Sequence, residues 1–274
     1  MTSFHRDILR SKLLSGQNIY GTCITVNTPI WPNIVSESNL DFVFIDTEHI
    51  PIDRSELAKM CRSYQAHGLT PIVRIPKPYP YRASQAIDDG AIGIIAPYLE
   101  NTDQIRELVG ATKFRPLKGE RLEAILSGKS EPDNELKSYL ENNNQGNLCI
   151  ANIESMPAVE QLDKLLSIDG LDAVFIGPHD LSVNMGIPEQ YDHPDFIATV
   201  KTIIQKARKH TLGVGIHFSL APQRQIDWIK VGVNIIIHSS DMALFSKQLR
   251  SDIQEIQQAA GDHKDLDLKD SITI

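Results

Sequence analysis

The apolar run FVFID (42–46) leads into four polar residues, Asp46-Thr47-Glu48-His49. A buried strand has no packing use for two carboxylates, a hydroxyl and an imidazole, so the quartet points to chemistry at the strand's carboxyl end. Other apolar runs end in the same way. Arg74 sits near the end of TPIVRI (70–75), Pro97 and Tyr98 close AIGIIAPY (91–98), and Glu154 closes NLCIANIE (147–154). His179 and Asp180 follow DAVFIG (172–177), His217 lies near the end of GVGIHF (213–218), and His238, Ser239, Ser240 and Asp241 close the run that begins at Asn234. Glu154 and Asp180 come from consecutive runs. Two carboxylates converging in a low-dielectric cleft repel unless a proton or a cation lies between them. With water, they suit a hard divalent ion such as Mg2+ or Mn2+, leaving positions open for substrate. Arg74 then offers positive charge to a substrate carboxylate or a developing enolate. A histidine is the natural proton shuttle, because an unperturbed imidazole changes charge near neutrality, so His49 suits proton transfer, with Asp46 placed to orient its ring.

Each residue also has a simpler reading that the sequence leaves open. An arginine at a strand end can be a structural ion-pair partner. Asp46 and Asp180 can cap the helix that follows. His49 taken alone is as readily structural as catalytic, and His217 and His238 read best as core histidines paired to a carbonyl. His67 and His210 stand where helices end and complement the helix dipole. Glu154 is harder to explain away, because Ser155 can start the next helix without it. The case rests on convergence of these residues at one end of the strands.

Eight such runs, beginning at residue 19 with IYGTCITV, alternate with amphipathic stretches such as RSELAKMCRSYQAHG, NTDQIRELVGATK, SMPAVEQLDKLLSI and PDFIATVKTIIQKARKH. The runs are apolar almost throughout, as strands covered on both faces are. Eight strands each followed by a helical segment predict a (β/α)8 TIM barrel, whose chemistry sits at the strands' carboxyl ends. A doubly wound sheet is disfavoured, because NTPIWPNI after the first strand carries no GxGxxG. The expected organisation is one barrel domain over residues 1–260, with an inserted loop and extra helix at about 114–146 and a polar tail at 261–274.

The bulk properties exclude several classes. The 274 residues carry a formal net charge of −8, and no basic stretch is dense enough to follow a phosphate backbone, so nucleic acid is not an expected partner. No apolar run approaches the ~20 residues of a membrane span. The three cysteines, Cys23, Cys61 and Cys149, are widely separated and read as ordinary buried thiols of a cytoplasmic protein. No predicted strand carries a lysine, which disfavours a Schiff-base mechanism. The loops after the seventh and eighth strands lack a glycine-rich phosphate cradle.

Taken together, "FVFIDTEHIP", "PIVRIP", "IGIIAPYLENTDQ", "CIANIESMPAVEQLDKLLSIDGLDAVFIGPHDLS" and "VGVNIIIHSSDMALF" resemble the HpcH/HpaI family of metal-dependent (class II) pyruvate aldolases. The resemblance runs in order from about residue 15 to 250. It implies a modified barrel assembled as a homohexamer of dimers that exchange their last helix. It implies a divalent cation at the mouth, Mg2+ or Mn2+ with Co2+ as a further candidate, held by Glu154 and Asp180. It makes His49 the acid/base with Asp46 beside it, and Arg74 the group that steadies the pyruvate enolate. Asp88, with Asp89 as the rival, matches a carboxylate that reaches in from a neighbouring subunit. The backbone amides of His179 and Asp180 match the pyruvate-carboxylate site, and Asn152 and Pro97 fall on the substrate side. Thr47, Asn152 and the segment around Arg121 depart from the usual pattern, which bears on the aldehyde more than on the enolate core.

The implied reaction is cleavage of a 4-hydroxy-2-oxo acid to pyruvate and an aldehyde, and its reverse. The partners are then a small 2-oxo acid and an aldehyde. The rivals are a lyase of the same superfamily acting on an oxaloacetate-like acid or an acyl-CoA, and a non-catalytic ligand-binding barrel.

Overall fold

In the computed structural model, which describes residues 4–218 and 221–262, the eight apolar runs form eight parallel strands closed into a barrel. They are β1 (Ile19–Ile24), β2 (Phe42–Asp46), β3 (Thr70–Arg74), β4 (Gly93–Ala96), β5 (Leu148–Ile153), β6 (Ala173–Ile176), β7 (Gly213–Phe218) and β8 (Ile235–Ser240). Each strand pairs in parallel with the next, and β8 closes on β1 through Ile19↔Ile235. The (β/α)8 architecture expected from the alternation is therefore present.

Alternate side chains explain why the runs are apolar throughout. Phe42, Phe44, Ile72, Ile150, Phe175 and Ile237 point into the barrel and form one buried cluster. Val43, Ile45, Val73, Ile94, Ile153 and Val174 belong to a second cluster with the surrounding helices. Burial on both faces removes the polar half of the usual strand pattern. The interior alternates large and small residues. A Cβ on Gly215 would lie 2.4 Å from Cδ2 of Phe175, and one on Gly21 would lie 2.5 Å from the Phe42 ring.

The outer layer begins with α2 (Trp31–Ser36), α3 (Arg54–Ala66), α4 (Pro80–Asp88) and α5 (Thr102–Lys113). After β5 come α8 (Met156–Glu160), α9 (Leu162–Leu166), α10 (Pro178–Asn184), α11 (Pro194–Lys209), α12 (Pro222–Val231) and α13 (Asp241–Ala260). The stretch SMPAVEQLDKLLSI is two short helices rather than one, broken at Gln161, which ends α8 and starts α9. The segment 114–146 holds two helices, α6 (Gly119–Leu126) and α7 (Asn134–Asn144). It is tied down by Asn144, whose side-chain amide donates to the Arg115 carbonyl at 2.8 Å. The expected tail lies outside the described residues from 263 onward.

The opening helix, α1 (Phe4–Leu14), has a structural task that its mixed composition concealed. Leu9 and Leu13 enter the interior cluster, and Leu13 occupies the space that a side chain at Gly213 would need. The helix thus plugs the barrel at the amino ends of its strands. A charged knot sits at the same end. Asp172 is fully buried and binds Arg10 at 2.8 Å, Lys113 at 2.5 Å and the backbone N–H of Cys149 at 2.8 Å. Polar residues therefore mark both rims, but those of the lower rim are saturated by one another.

Leu13→Ala should destabilise the fold by about 2–5 kcal/mol, the cost of a cavity at a fully buried leucine. The neighbouring Leu14, 39% exposed, should change by less than about 0.5 kcal/mol on the same substitution. Urea unfolding of the two variants measures this directly, and equal losses would remove the plug from the account.

Candidate active site

Asp46 and Arg74 are the last residues of neighbouring strands and stand opposite each other in register. Their side chains meet inside the mouth. Arg74 Nε donates to Asp46 Oδ1 at 2.9 Å and Nη2 donates to Oδ2 at 2.5 Å. The guanidinium carbon lies 5.6 Å from the centre of the Phe44 ring beneath it. Thr47 locks the turn, its N–H and hydroxyl both donating to the Arg74 carbonyl, at 3.0 and 2.7 Å. Burial by itself raises the Asp46 carboxyl, but the Arg74 hydrogen bonds and charge outweigh it and hold the group below the ordinary range.

Glu48 completes this half of the site. Its backbone N–H donates to Asp46 Oδ1 at 2.9 Å, and its carboxylate lies 3.3 Å from Arg74 Nε and 3.8 Å from His49 Nε2. Burial pushes its carboxyl upward. The reading of Asp46 as the orienting partner of His49 therefore changes. Both Asp46 oxygens face Arg74, and the carboxylate facing His49 is Glu48. Nor is Asp46 a helix cap, since Asp53 caps α3. His49 is half exposed.

The other half is built on Glu154, which follows β5 and is 2% exposed. Its Oε2 accepts from the backbone N–H of Tyr98 at 2.9 Å, and its Oε1 from the Asn152 amide at 2.5 Å. Ser155 caps α8, so Glu154 is free of that task. The space it occupies exists because residue 177 is glycine: a Cβ there would lie 2.6 Å from Glu154 Oε1. Burial, then repulsion from Asp180 and Glu48, raise the Glu154 carboxyl to about 7, against the Tyr98 N–H and Arg74. Asp180 lies in the first turn of α10, half-buried, 3.5 Å from the Tyr98 hydroxyl. It is not the cap of that helix; the cap position is Gly177, and no side chain bonds there.

The remaining candidates separate clearly. Asn152 is fully buried and donates to Glu154, and among the described residues its Oδ1 has no hydrogen-bond partner. Pro97 is buried and delivers the chain to Tyr98. The His179 side chain is exposed and lies 3.4 Å from Glu189, so only its backbone can serve the mouth. Asp88 ends α4 and pairs with Arg115, while Asp89 is held by two Arg54 hydrogen bonds of 2.8 Å; neither joins this chain's own cluster. Arg121 faces Asp133, not the site. His217 Nε2 sits 3.3 Å from the Ser239 carbonyl, and burial pushes its imidazole down to about 4. Burial and Lys247 push His238 down as well. Sequence reasoning gave no role to Glu48 or Tyr98. Glu48 was visible as the carboxylate next to His49, whereas Tyr98 acts through a backbone N–H that no residue type announces.

One guanidinium thus faces four carboxylates, Asp46, Glu48, Glu154 and Asp180. Among the described residues no set of three or more His, Cys, Asp or Glu side chains forms a closed metal cage. Two convergent carboxylates in surplus negative charge fit an ion that takes oxygen ligands and keeps several waters, as Mg2+ does. The site therefore fits a hard divalent cation, and Glu154 and Asp180 are the side chains that could hold it.

Asp46→Asn should cost about 3–5 kcal/mol, because it breaks a buried bidentate ion pair whose geometry Glu48, 3.3 Å from Arg74 Nε, does not reproduce. Since the folded carboxyl titrates below its unfolded value near ~3.9, the stability it adds is present above that value and is lost as pH falls through the lower, folded one. Urea unfolding at pH 7 and at progressively lower pH should show the variant's deficit shrinking in acid.

The chain is similar to known proteins. The family model for HpcH/HpaI aldolase/citrate lyase matches residues 21–246. The 2-keto-3-deoxy-L-rhamnonate aldolase of Escherichia coli O17:K52:H18 is 27% identical over 240 residues, covering 88% of this chain and 89% of that protein. The HpcH/HpaI aldolase from Desulfitobacterium hafniense DCB-2 superposes with a TM-score of 0.78 at 25% identity, over 91% of this chain and 96% of that one. The citrate synthase SbnG superposes with a TM-score of 0.79 at 27% identity, over 93% and 99%. The matched span runs from β1 into α13 and takes in every strand-end residue described above, so this barrel and its acidic mouth belong to the HpcH/HpaI aldolase/citrate lyase family.

Proposed function

We propose that the chain is a class II aldolase that cleaves a 4-hydroxy-2-oxo acid to pyruvate and an aldehyde, and catalyses the reverse addition. The observation that carries this reading is the division of the mouth into two halves. Glu154 and Asp180 form an acidic side suited to a divalent cation, and Arg74 stands across from them with its Nη1 end making no hydrogen bond among the described residues. The 2-oxo acid needs both. A bound Mg2+, Mn2+ or Co2+ would supply Lewis-acid pull on the substrate's oxygens.

The chain's own residues supply the rest. Arg74, fixed bidentately by Asp46, presents its free edge where charge develops on the 2-oxo oxygen, a preorganised donor that needs no rearrangement as charge appears. His49 removes the proton of the 4-hydroxyl. The C3–C4 bond then breaks, its electron pair passing toward C2 while C4 leaves as the aldehyde carbonyl. The Glu48 carboxylate lies 3.8 Å from the His49 ring. The backbone N–H groups of His179 and Asp180, in the first turn of α10, would bind the substrate carboxylate. Asn152 and Pro97 would contribute to the same substrate pocket. An oxaloacetate-type decarboxylase or an acyl-CoA lyase would share the enolate step and differ in releasing carbon dioxide or a thioester.

The assembly belongs to the same proposal. Met242, Phe245, Leu249, Ile253 and Ile256 form a stripe at helical spacing along α13, exposed by 43–63%. Such a stripe calls for a cover, and exchange of α13 between two copies, within a hexamer, would supply it. Asp88 would then act in a neighbour's mouth rather than its own. All three cysteines are free and buried, which suits a cytoplasmic setting. Among the described residues no helix is long and apolar enough to cross a membrane.

With Mn2+ or Mg2+ and the protein in D2O, the methyl protons of pyruvate should exchange, as followed by NMR, and EDTA should stop the exchange. Glu154→Ala should abolish it without unfolding the barrel; full exchange in that variant would place the cation elsewhere. His49→Ala should retain Mn2+ binding while slowing aldol cleavage by about 10²–10⁴-fold. Undiminished cleavage would remove His49 from the mechanism.

A further inference from the structure

Tyr98 occupies a backbone conformation that its side chain disfavours. Its φ is +48°, in the left-handed region that glycine adopts freely and bulky residues rarely do. A large residue kept at such a position implies a use for its side chain. The conformation turns the chain sharply after β4, between the buried Pro97 and Leu99. The backbone N–H then points inward to Glu154 Oε2, at 2.9 Å, while the phenol projects the other way and its hydroxyl comes 3.5 Å from Asp180 Oδ1. One residue on β4's loop therefore touches a carboxylate that follows β5 and another that follows β6.

The loop is itself stapled in place. Ser155, next to Glu154, donates from its hydroxyl to Glu100 Oε1 at 2.6 Å, and the Glu100 carbonyl accepts from the Gln161 side chain at 3.3 Å. The Gln104 side chain accepts from the Glu100 and Asn101 N–H groups. Any movement of Tyr98 is thereby coupled to the turn that carries Glu154.

We propose that Tyr98 is a positioning residue that sets the relative placement of the Glu154 and Asp180 carboxylates, holding the first through its main chain and the second through its phenol. The proposal rests on the cation-binding reading of that pair. A glycine could make the turn and the Glu154 contact, but it could not reach Asp180. The tyrosine accepts the backbone strain and places its hydroxyl beside Asp180, 3.5 Å from Oδ1, while its N–H binds Glu154.

Tyr98→Phe tests this, because it keeps the backbone and removes only the hydroxyl. Its Mn2+ dissociation constant, read from the EPR signal of free Mn2+, should rise about tenfold. Tyr98→Gly should show the same loss with an unchanged or higher melting temperature, since the strain is relieved. Wild-type Mn2+ affinity in Tyr98→Phe would overturn the proposal. A wild-type protein that binds no Mn2+ would instead overturn the cation reading, and metal-free crystal structures of wild type and Tyr98→Phe would then decide the role of Tyr98. Asp180 turned away from Glu154 in the variant supports it, and an unmoved Asp180 overturns it.

Discussion

The buried pairing of Arg74 with Asp46 is the contact on which the rest of the mouth depends. The two residues end adjacent strands in register, so parallel pairing itself brings them face to face. Neither would be tolerable alone in the apolar barrel. Together they place a permanent positive charge, with a free edge, at the top of a layer made of Phe44, Ile72 and Phe175. Every other carboxylate in the site is arranged around that charge, and there are too many of them for it to neutralise. The surplus falls on Glu154, whose carboxyl is raised to about 7 mainly by burial and then by its acidic neighbours. A site built in this way suits a cation, because binding one would relieve repulsion already present.

The barrel interior makes room for this polar layer by the same device that packs its apolar layers. Gly21 and Gly215 accommodate the rings of Phe42 and Phe175, and Gly177 accommodates the carboxylate of Glu154. The pattern is continuous from core to site. Below it, α1 and the Asp172 knot close the amino ends, so the lower rim is saturated while the upper rim keeps open groups. That asymmetry separates polar residues that saturate one another from polar residues left open at the end of the barrel where the fold carries its chemistry.

The loops at the upper rim are held by polar cross-links rather than by apolar packing. Glu100 joins the β4 loop to the start of α8. At the other side, Asp241 at the start of α13 accepts hydrogen bonds from the backbone N–H groups of Thr25 and Val26 and from the Trp31 indole. The loop after β1 is thereby fastened to the helix whose apolar stripe awaits a cover. Such contacts give the mouth a defined shape without filling it.

The amino-acid sequence by itself determined the strands, the barrel and the family of residues at its mouth. Strands covered on both faces must be apolar throughout, and a polar residue that interrupts them must lie at an end, so period and composition suffice to find both. Glu154, Asp180, Arg74 and His49 were legible for that reason. What only the tertiary structure decided is which groups touch. Asp46 turned out to hold Arg74 rather than His49, Glu48 took the place beside the imidazole, and Tyr98 came to touch two carboxylates distant in the chain. Those relations depend on strand register, on a backbone N–H and on a left-handed turn. None of them is a property of residue type, and each is fixed only when segments far apart in the chain are brought within hydrogen-bond distance.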